Sequence, residues 1–318
     1  MNRDTLEQQQ IPIYFVATLL AAFIGLAFPS IGTSAEALIT PSIGALMYAM
    51  FLQIPFLQLR ESVRNKRFMA ALLIANFVLM PFLVWALTLP LKSQPAILLG
   101  ALLVLLTPCI DYVVVFTHLG KGDSRLILSA TPVLLVLQLL LLPLYLTLML
   151  GDELAVSVSA SPFIEAFLLL IVLPLLLAIA TEVATKHSTL AKDWSSAWAW
   201  LPVPAMAVVL IVVVGSQISN VARDIDRLVA VLPVYLGFLL LAPLVGFASA
   251  RLLKLPAQAA RTVTFSSSTR NSLVALPLAL ALPEEMRTLA AAAIITQTLT
   301  ELIGELIYIR AVPALIRR

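Results

Sequence analysis

The sequence predicts an all-α integral membrane protein of ten transmembrane helices, arranged as two inverted five-helix repeats. Three observations lead to this prediction. The chain is 61% hydrophobic and only 12% charged over 318 residues, with a mean hydropathy of +1.03. Its apolar residues fall into ten runs of membrane-spanning length, and polar residues interrupt two of them. Because soluble globular chains carry about a quarter charged residues, the composition excludes that class.

The ten apolar runs have the length of helical spans, taken as about 20 residues each. The polar, mixed-charge opening MNRDTLEQQQ is not followed by a small-residue cleavage site, so we expect the first run to be an uncleaved span. The predicted spans are 11–29, 37–59, 68–90, 95–119, 125–150, 162–184, 200–219, 228–252, 257–282 and 286–309.

The lysines and arginines provide a test of this span count, because cytoplasmic loops hold the excess of basic residues. With ten spans, fifteen of the 20 basic residues fall on the side of the two termini and four fall on the other side. The remaining one, Arg270, falls inside the ninth span. We therefore expect a multi-pass protein of the cell (inner) membrane with both termini in the cytoplasm.

The loop-like stretch GDELAVSVSAS, residues 151–161, divides the ten spans into five and five. Residues 1–150 are then the first repeat and residues 151–318 the second. An odd number of spans in each half places the halves in opposite orientations, as in many secondary transporters. An interruption in the fourth span should accordingly have a counterpart in the ninth.

The fourth span is interrupted at Thr107-Pro108-Cys109-Ile110-Asp111. Proline removes a backbone donor and clashes with the preceding turn, so two half-helices are expected here instead of one straight span. Lipid cannot satisfy the backbone groups that such a break leaves open. An interrupted helix therefore indicates a site surrounded by protein or water, as in transporter substrate sites.

The ninth span contains the polar octad FSSSTRNS, residues 265–272, whose hydroxyl and amide side chains compete with helical hydrogen bonds. We expect the two broken helices to cross at the substrate site. The predicted substrate-binding residues are Thr107, Cys109 and Asp111 from the first interruption and Ser268, Arg270 and Asn271 from the second.

Each of these polar residues also has a structural interpretation. Cys109 fits a small buried hydrophobe, Asp111 fits a cap of the second half-helix, and Arg270 fits an ion pair joining the broken helices. Glu301 is the candidate for proton coupling, with pairing to Arg270 as its alternative. Glu301 and Glu305 are four residues apart on one helix face, where like charges repel, so we expect one to be protonated or neutralised by Arg270.

Other functional classes receive little support from the sequence. The basic residues lie in loops without aromatic platforms, which disfavours nucleic acid as a partner. The single cysteine and the lack of a CxxC spacing predict no metal site and no cofactor. An intramembrane enzyme could pair Asp111 with Glu301 as acids, but no HExxH or GxSxG motif is present. The expected partners are the lipid bilayer and a small-molecule or inorganic oxyacid substrate; the sequence does not specify an oligomeric state.

Residues 107–123, TPCIDYVVVFTHLGKGD, resemble the fourth helix of the bile acid/sodium symporter and arsenite permease superfamily. In that superfamily the broken helix is followed by a V-x-T/W-x-L-x-K-G-D ending, and the resemblance implies ten spans in inverted halves across essentially the whole chain. Cys109, together with Glu301 in TQTLTELIGEL, resembles the arsenite permease branch. There, a cysteine in the fourth span and a glutamate in the last are implicated in arsenite efflux coupled to proton entry.

The chain also departs from both branches. The sodium symporters carry E-x-x-x-Q-N-S at the ninth-helix break, and alignment on Asn271 and Ser272 places Ser266 and Arg270 at the sodium-ligand positions. Because a guanidinium repels a cation, sodium coupling through that site is not expected. The arsenite branch reads A-R-C and A-x-N-N at its breaks, whereas this chain reads T-P-C and S-T-R-N.

The resulting hypothesis is a proton-coupled exporter of arsenite or a related oxyacid, since a thiolate suits a soft As(III) centre. The alternative is a carrier of a small organic carboxylate, held by Arg270 and the N-terminus of a half-helix.

Overall fold

The computed structural model describes residues 9–28, 38–53, 65–110, 112–150, 165 and 168–317, and every secondary-structure element within them is helical. Asp111, a predicted site residue, lies outside these ranges. The described ranges contain two π-helical segments, π1 (Ala75–Leu79) and π2 (Leu168–Val172). The α-helices are α1 (Gln10–Ala27), α2 (Ile39–Phe51), α3 (Lys66–Ile74), α4 (Met80–Thr88), α5 (Pro95–Leu105), α6 (Val113–Leu119), α7 (Ser124–Leu150), α8 (Leu173–Ala184), α9 (Thr189–Trp198), α10 (Pro202–Arg223), α11 (Ile225–Leu228), α12 (Leu232–Leu252), α13 (Ala257–Ser268), α14 (Ser272–Leu280) and α15 (Glu284–Leu315).

Among the described residues, five helical segments are long and apolar enough to cross a membrane, which makes this a multi-pass membrane protein. Each coincides with a predicted span, and the other predicted spans coincide with shorter apolar helices or pairs of half-helices. The ten-span inverted arrangement itself stays a prediction. The five long segments are Lys66–Leu91, Ser124–Leu150, Pro202–Ser219, Ile225–Leu252 and Glu285–Leu315.

The chain divides into two compact units, each assembled from two separate stretches of sequence. One comprises Met1–Ile54 with Ala160–Ile225, and the other comprises Pro55–Ser159 with Asp226–Arg318. In the five-plus-five scheme, spans one and two correspond to six and seven, and spans three to five correspond to eight to ten. Spans that correspond in this scheme therefore lie in the same unit.

In the first unit, α1 packs along α10, and α2 packs against α8 and α10. A polar cluster ties α2 to α8 and α9, because the Tyr48 hydroxyl lies 2.9 Å from Thr181 Oγ1 and accepts from Trp194 Nε1 at 2.9 Å. Helix α9 lies within the connection between the sixth and seventh predicted spans, and the span count did not anticipate it. Ser188 caps its N-terminus by accepting from the backbone N–H of Ala191.

In the second unit, α15 packs against α5 and α14, and α12 packs along α13. The core of this unit holds the two interrupted helices. The fourth span is divided into α5 and α6, and the ninth is divided into α13 and α14. Both predicted interruptions are therefore present in the described residues.

The second interruption is narrower than the predicted octad. Helix α13 continues through Ser268, so only Thr269 to Asn271 leave the helix. The hydroxyls of Ser268 and Thr269 donate back to carbonyl oxygens of their own helix, Thr264 O at 2.6 Å and Phe265 O at 2.7 Å. In this position the hydroxyls bond within the helical pattern instead of replacing it.

The close approach of α5 to α15 depends on Gly100. A Cβ added there would overlap the Ala290 carbonyl oxygen and lie 2.8 Å from Ala290 Cα, and neither backbone atom can rotate away. At Gly304 on α15, the atoms nearest to an added Cβ would be those of the flexible Leu239 side chain. A side chain at position 100 would therefore collide with rigid backbone, whereas one at position 304 would collide with a side chain that can move.

We expect Gly100→Ala to lower the free energy of unfolding by about 1–3 kcal/mol, the usual effect of overpacking. Gly304→Ala should be neutral or stabilising, because alanine favours helix over glycine by up to about 1 kcal/mol. Thermal unfolding of the two purified variants beside wild type measures the difference. Equal melting temperatures for both variants would contradict the assigned packing.

Candidate functional site

The site is formed where the two interrupted helices cross in antiparallel orientation, with Pro108 opposite Arg270. The N–H of Cys109 donates to the Thr269 carbonyl at 3.1 Å, and the N–H of Asn271 donates to the Thr107 carbonyl at 2.8 Å. The residues of the crossing are buried, including Thr107, Cys109 and Arg270. A short two-stranded bridge therefore lies in the interior of a helical unit.

Every backbone polar group from Thr269 to Asn271 has a partner. The Thr269 N–H donates to Phe265, and the Arg270 N–H donates to Glu301 Oε2 at 2.9 Å. The Arg270 carbonyl faces the Tyr112 hydroxyl at 2.8 Å, and the Asn271 carbonyl lies 3.2 Å from the Thr107 hydroxyl. Pro108 has no N–H to satisfy, so proline suits the facing position. The crossing meets the requirement that buried backbone groups be paired.

The Arg270 side chain is buried and faces neutral oxygens from three separate segments. Nη1 donates to Leu105 O, the last residue of α5, at 3.3 Å. Nη2 donates to Asn76 Oδ1 at 2.9 Å and to Ser266 O at 3.1 Å, and it lies within hydrogen-bond distance of Ser267 O. Within the described part of the chain, none of the guanidinium's hydrogen-bond partners is a carboxylate.

Asn76 reaches Arg270 from π1, the π-helical segment that separates α3 from α4. Its amide nitrogen donates to Leu72 O at 3.1 Å and to Ser266 Oγ at 3.2 Å, which leaves Oδ1 for Arg270. π-Helical segments re-aim side chains and occur frequently at functional sites. Here the π segment brings an amide oxygen to a buried cation.

Glu301 is 1% exposed and makes hydrogen bonds through both carboxyl oxygens. Oε2 accepts from the Arg270 backbone N–H at 2.9 Å and from Gln297 Nε2 at 2.6 Å. Oε1 lies 2.7 Å from the Tyr112 hydroxyl. The predicted alternative of pairing with Arg270 therefore takes the form of a backbone hydrogen bond, and not of a guanidinium–carboxylate pair.

The Tyr112 hydroxyl carries one hydrogen but faces two acceptors, the Arg270 carbonyl and Glu301 Oε1. A carbonyl can only accept. When Glu301 is protonated, both contacts can be hydrogen bonds. The carboxylic acid then donates to the Tyr112 hydroxyl, and that hydroxyl donates to the Arg270 carbonyl. When Glu301 is ionised, Tyr112 donates to the carboxylate and the Arg270 carbonyl loses its donor.

Glu305 shows the same pattern one turn along α15. The Thr269 hydroxyl lies 2.6 Å from Glu305 Oε1 and 2.7 Å from the Phe265 carbonyl, and again one hydrogen serves two acceptors. Glu305 Oε2 is buried and has no partner within the described residues. A buried carboxylate with an unpaired oxygen is strongly disfavoured, so this geometry fits a neutral carboxylic acid.

The structure brings most of the predicted site residues to the crossing. Thr107, Cys109, Arg270 and Asn271 form it directly, and Asn271 also caps α14 by accepting from Val274 N–H at 3.1 Å. The hydroxyl of Ser268 is directed back to α13, so its backbone and not its side chain is near the crossing.

Two residues at the site, Asn76 and Tyr112, were not predicted, and Thr269 was predicted only as part of the polar octad, without a role of its own. Asn76 is an isolated amide in an apolar run, and Tyr112 follows the interruption that was predicted. A polar residue at membrane depth is a general signal of function. The sequence does not show which of these residues face one another, because their partners are more than 30 positions away.

Two buried donors at the crossing have no hydrogen-bond partner among the described residues. They are Arg270 Nε and Asn271 Nδ2. Buried polar groups are nearly always paired. These donors are the groups with which an oxygen-containing ligand could bond.

The family model of the Sodium Bile acid symporter family matches residues 40–224, more than half of the chain. A curated relative from Bacillus subtilis (strain 168), described as an uncharacterized sodium-dependent transporter, YocS, is 29% identical over 139 residues. That alignment covers 44% of this chain and 43% of the relative. The chain thus matches less than half the length of the relative.

A sodium ion is the group that these names imply, and the crossing does not fit one at Arg270. The oxygens of Leu105, Asn76 and Ser266 that converge there already accept from the guanidinium. A second cation in the same place would meet a fixed positive charge with no carboxylate among these oxygens.

The hydrogen-bond pattern of Glu305 leads to a stability test. Glu305→Gln keeps a donor toward Thr269 and should unfold at nearly the wild-type temperature. Glu305→Ala removes that partner and leaves a void, so we expect a loss of about 2–4 kcal/mol in the free energy of unfolding.

Thermal unfolding of both variants, with Glu285→Gln on the exposed start of α15 as the control, measures the effect. Strong destabilisation by Glu305→Gln alone would show that an ionised carboxylate is needed at this position.

Proposed function

We propose that this chain, which belongs to the Sodium Bile acid symporter family, is a secondary transporter that exports arsenite or a related oxyacid in exchange for protons. One observation carries the proposal. The backbone N–H of the chain's single cysteine and the carboxyl group of a buried glutamate form hydrogen bonds with two consecutive residues of one interrupted helix. Cys109 N–H donates to Thr269 O at 3.1 Å, and Arg270 N–H donates to Glu301 at 2.9 Å.

The substrate side of the proposal depends on Cys109 and the unsatisfied donors beside it. A thiol is a soft ligand and matches a soft As(III) centre. The oxygens of an oxyacid can accept from Asn271 Nδ2 and Arg270 Nε, which lack partners within the described residues. One thiol instead of three keeps the affinity low enough for release, as a carrier requires.

The proton side depends on Glu301. With Glu301 protonated, the Tyr112 hydroxyl donates to the Arg270 carbonyl and the crossing is fully hydrogen-bonded. With Glu301 ionised, that carbonyl lacks a donor. A hydroxyl of an oxyacid can supply it. Proton and substrate are then alternative ways to complete the same crossing, which is the property that an exchanger needs.

Exchange also requires a conformational change. Cys109 and Glu301 are buried, so neither side of the membrane has access to them in this structure. Secondary transporters expose a central site to each side in turn by moving one part against another. We place the chain in the cell inner membrane with both termini cytoplasmic, on the basis of its lysine and arginine distribution.

The proposal predicts that Cys109→Ser and Glu301→Gln each lower the initial rate of pH-gradient-driven arsenite uptake into everted vesicles by about tenfold or more, a change equivalent to about 1.4 kcal/mol. Cys109→Ser removes the soft ligand but keeps the volume, and Glu301→Gln keeps the shape but cannot release a proton. Glu285→Gln, on the same helix but exposed, should transport like wild type.

The vesicle assay also separates this proposal from the carrier of organic anions. Arsenite transport that is unchanged in both variants would refute the proposal. Uptake of small carboxylates that is abolished by Arg270→Ala, with no uptake of arsenite by wild type, would establish the alternative substrate class.

A further inference from the structure

The Arg270 guanidinium lies where the ends of two half-helices meet. Leu105 O is the last carbonyl of α5, and Ser266 O and Ser267 O belong to the last turn of α13. Such terminal carbonyls have no helical donor and carry the negative end of the helix dipole. Asn76 Oδ1, from π1, is the fourth oxygen.

These four oxygens, from Leu105, Asn76, Ser266 and Ser267, are here called the oxygen cage. All are uncharged, they come from three separate segments, and they face one buried centre. The guanidinium carbon also lies over the Phe238 ring, 5.4 Å from its centroid, a position that favours a cation. Carbonyl and amide oxygens converging in a dry interior are how proteins replace the hydration shell of a small cation.

We propose that the Arg270 guanidinium is a tethered cation that permanently fills the oxygen cage, and that shortening this side chain opens the cage to sodium. The wild-type chain then has a fixed positive charge where an ion-coupled carrier would bind a mobile one. The conformational cycle proceeds without sodium at this position.

The competing explanation is that Arg270 is an ordinary cap for two helix ends. The two explanations differ in what happens after the guanidinium is removed. A missing cap leaves a destabilised protein that does not respond to the identity of the salt. A vacated cation cage leaves a protein that a cation of suitable size restores.

The test measures the melting temperature of the purified full-length protein in sodium chloride and in choline chloride at equal ionic strength. Wild type should show the same melting temperature in both salts. Arg270→Ala should melt at a lower temperature than wild type in choline and rise by about 3 °C in sodium, when sodium is about tenfold above its dissociation constant. A guanidinium salt, far below denaturing concentrations, should also raise the melting temperature of Arg270→Ala.

The matched control is Arg261→Ala on the same helix, α13. Its guanidinium also bonds to backbone carbonyls, those of Ile316 and Lys121, but it lies at the partly exposed start of the helix. This variant should not respond to sodium. If Arg270→Ala yields no folded protein, Arg270→Gln, which retains an amide donor, carries the same comparison.

Two outcomes would overturn the inference: equal melting temperatures of folded Arg270→Ala or Arg270→Gln in sodium and choline, or stabilisation of wild type by sodium as large as that of the variant. The assay contains no transport substrate. Its failure therefore leaves the arsenite proposal standing, and failure of arsenite transport leaves this inference standing.

Discussion

The arrangement of the second unit depends on one constraint. The two interruptions, around Pro108 and Arg270, are extended backbone in a buried position, and their polar groups must be fully hydrogen-bonded within the protein. The pairing of Cys109 with Thr269 and of Asn271 with Thr107 satisfies four of these groups. The Thr269 N–H bonds to the Phe265 carbonyl of its own helix. Side chains satisfy three more groups: Tyr112 and Glu301 bond to the Arg270 carbonyl and N–H, and Thr107 bonds to the Asn271 carbonyl. Because an unpaired buried backbone group costs about 1–3 kcal/mol, each of these side chains stabilises the fold in addition to any part it has in the proposed function.

Glu301 and Tyr112 link the protonation state of a carboxyl group to the hydrogen bonding of the backbone. Glu301 holds the Arg270 N–H, and Tyr112 connects the same carboxyl to the Arg270 carbonyl. A proton that leaves Glu301 thus changes the backbone bonding of the segment that pairs with Cys109. No long pathway is needed, since the proposed ligand-binding and proton-binding groups bond to two consecutive residues, Thr269 and Arg270. The same segment carries the guanidinium whose charge is fixed.

The sequence predicted the interruptions because local chemistry determines them: Pro108 cannot donate, and a run of hydroxyls and amides ends an apolar helix. It also predicted Cys109, Arg270 and Asn271 at one site. It did not predict Asn76, because whether a π segment turns that amide inward depends on packing against α12 and α13. It also did not predict the length of the second interruption. The hydroxyls of Ser268 and Thr269 bond to carbonyls of α13 and do not break the helix there, and residue type alone does not distinguish these two effects of a hydroxyl.

In the proposed exchange, two opposing effects act on the protonation of Glu301. Complete hydrogen bonding at Tyr112 and the Arg270 carbonyl favours the protonated acid. Charge balance favours the carboxylate, because the buried guanidinium has no other acidic partner within the described residues and opposite charges attract strongly in a medium of low dielectric constant. Glu305 lacks the second effect: its nearest charged neighbour on α15 is Glu301, of the same sign, so ionisation there gains nothing. In the proposed exchange, the two carboxyls of α15 accordingly have different roles: Glu301 exchanges its proton, and Glu305 stays neutral and holds Thr269.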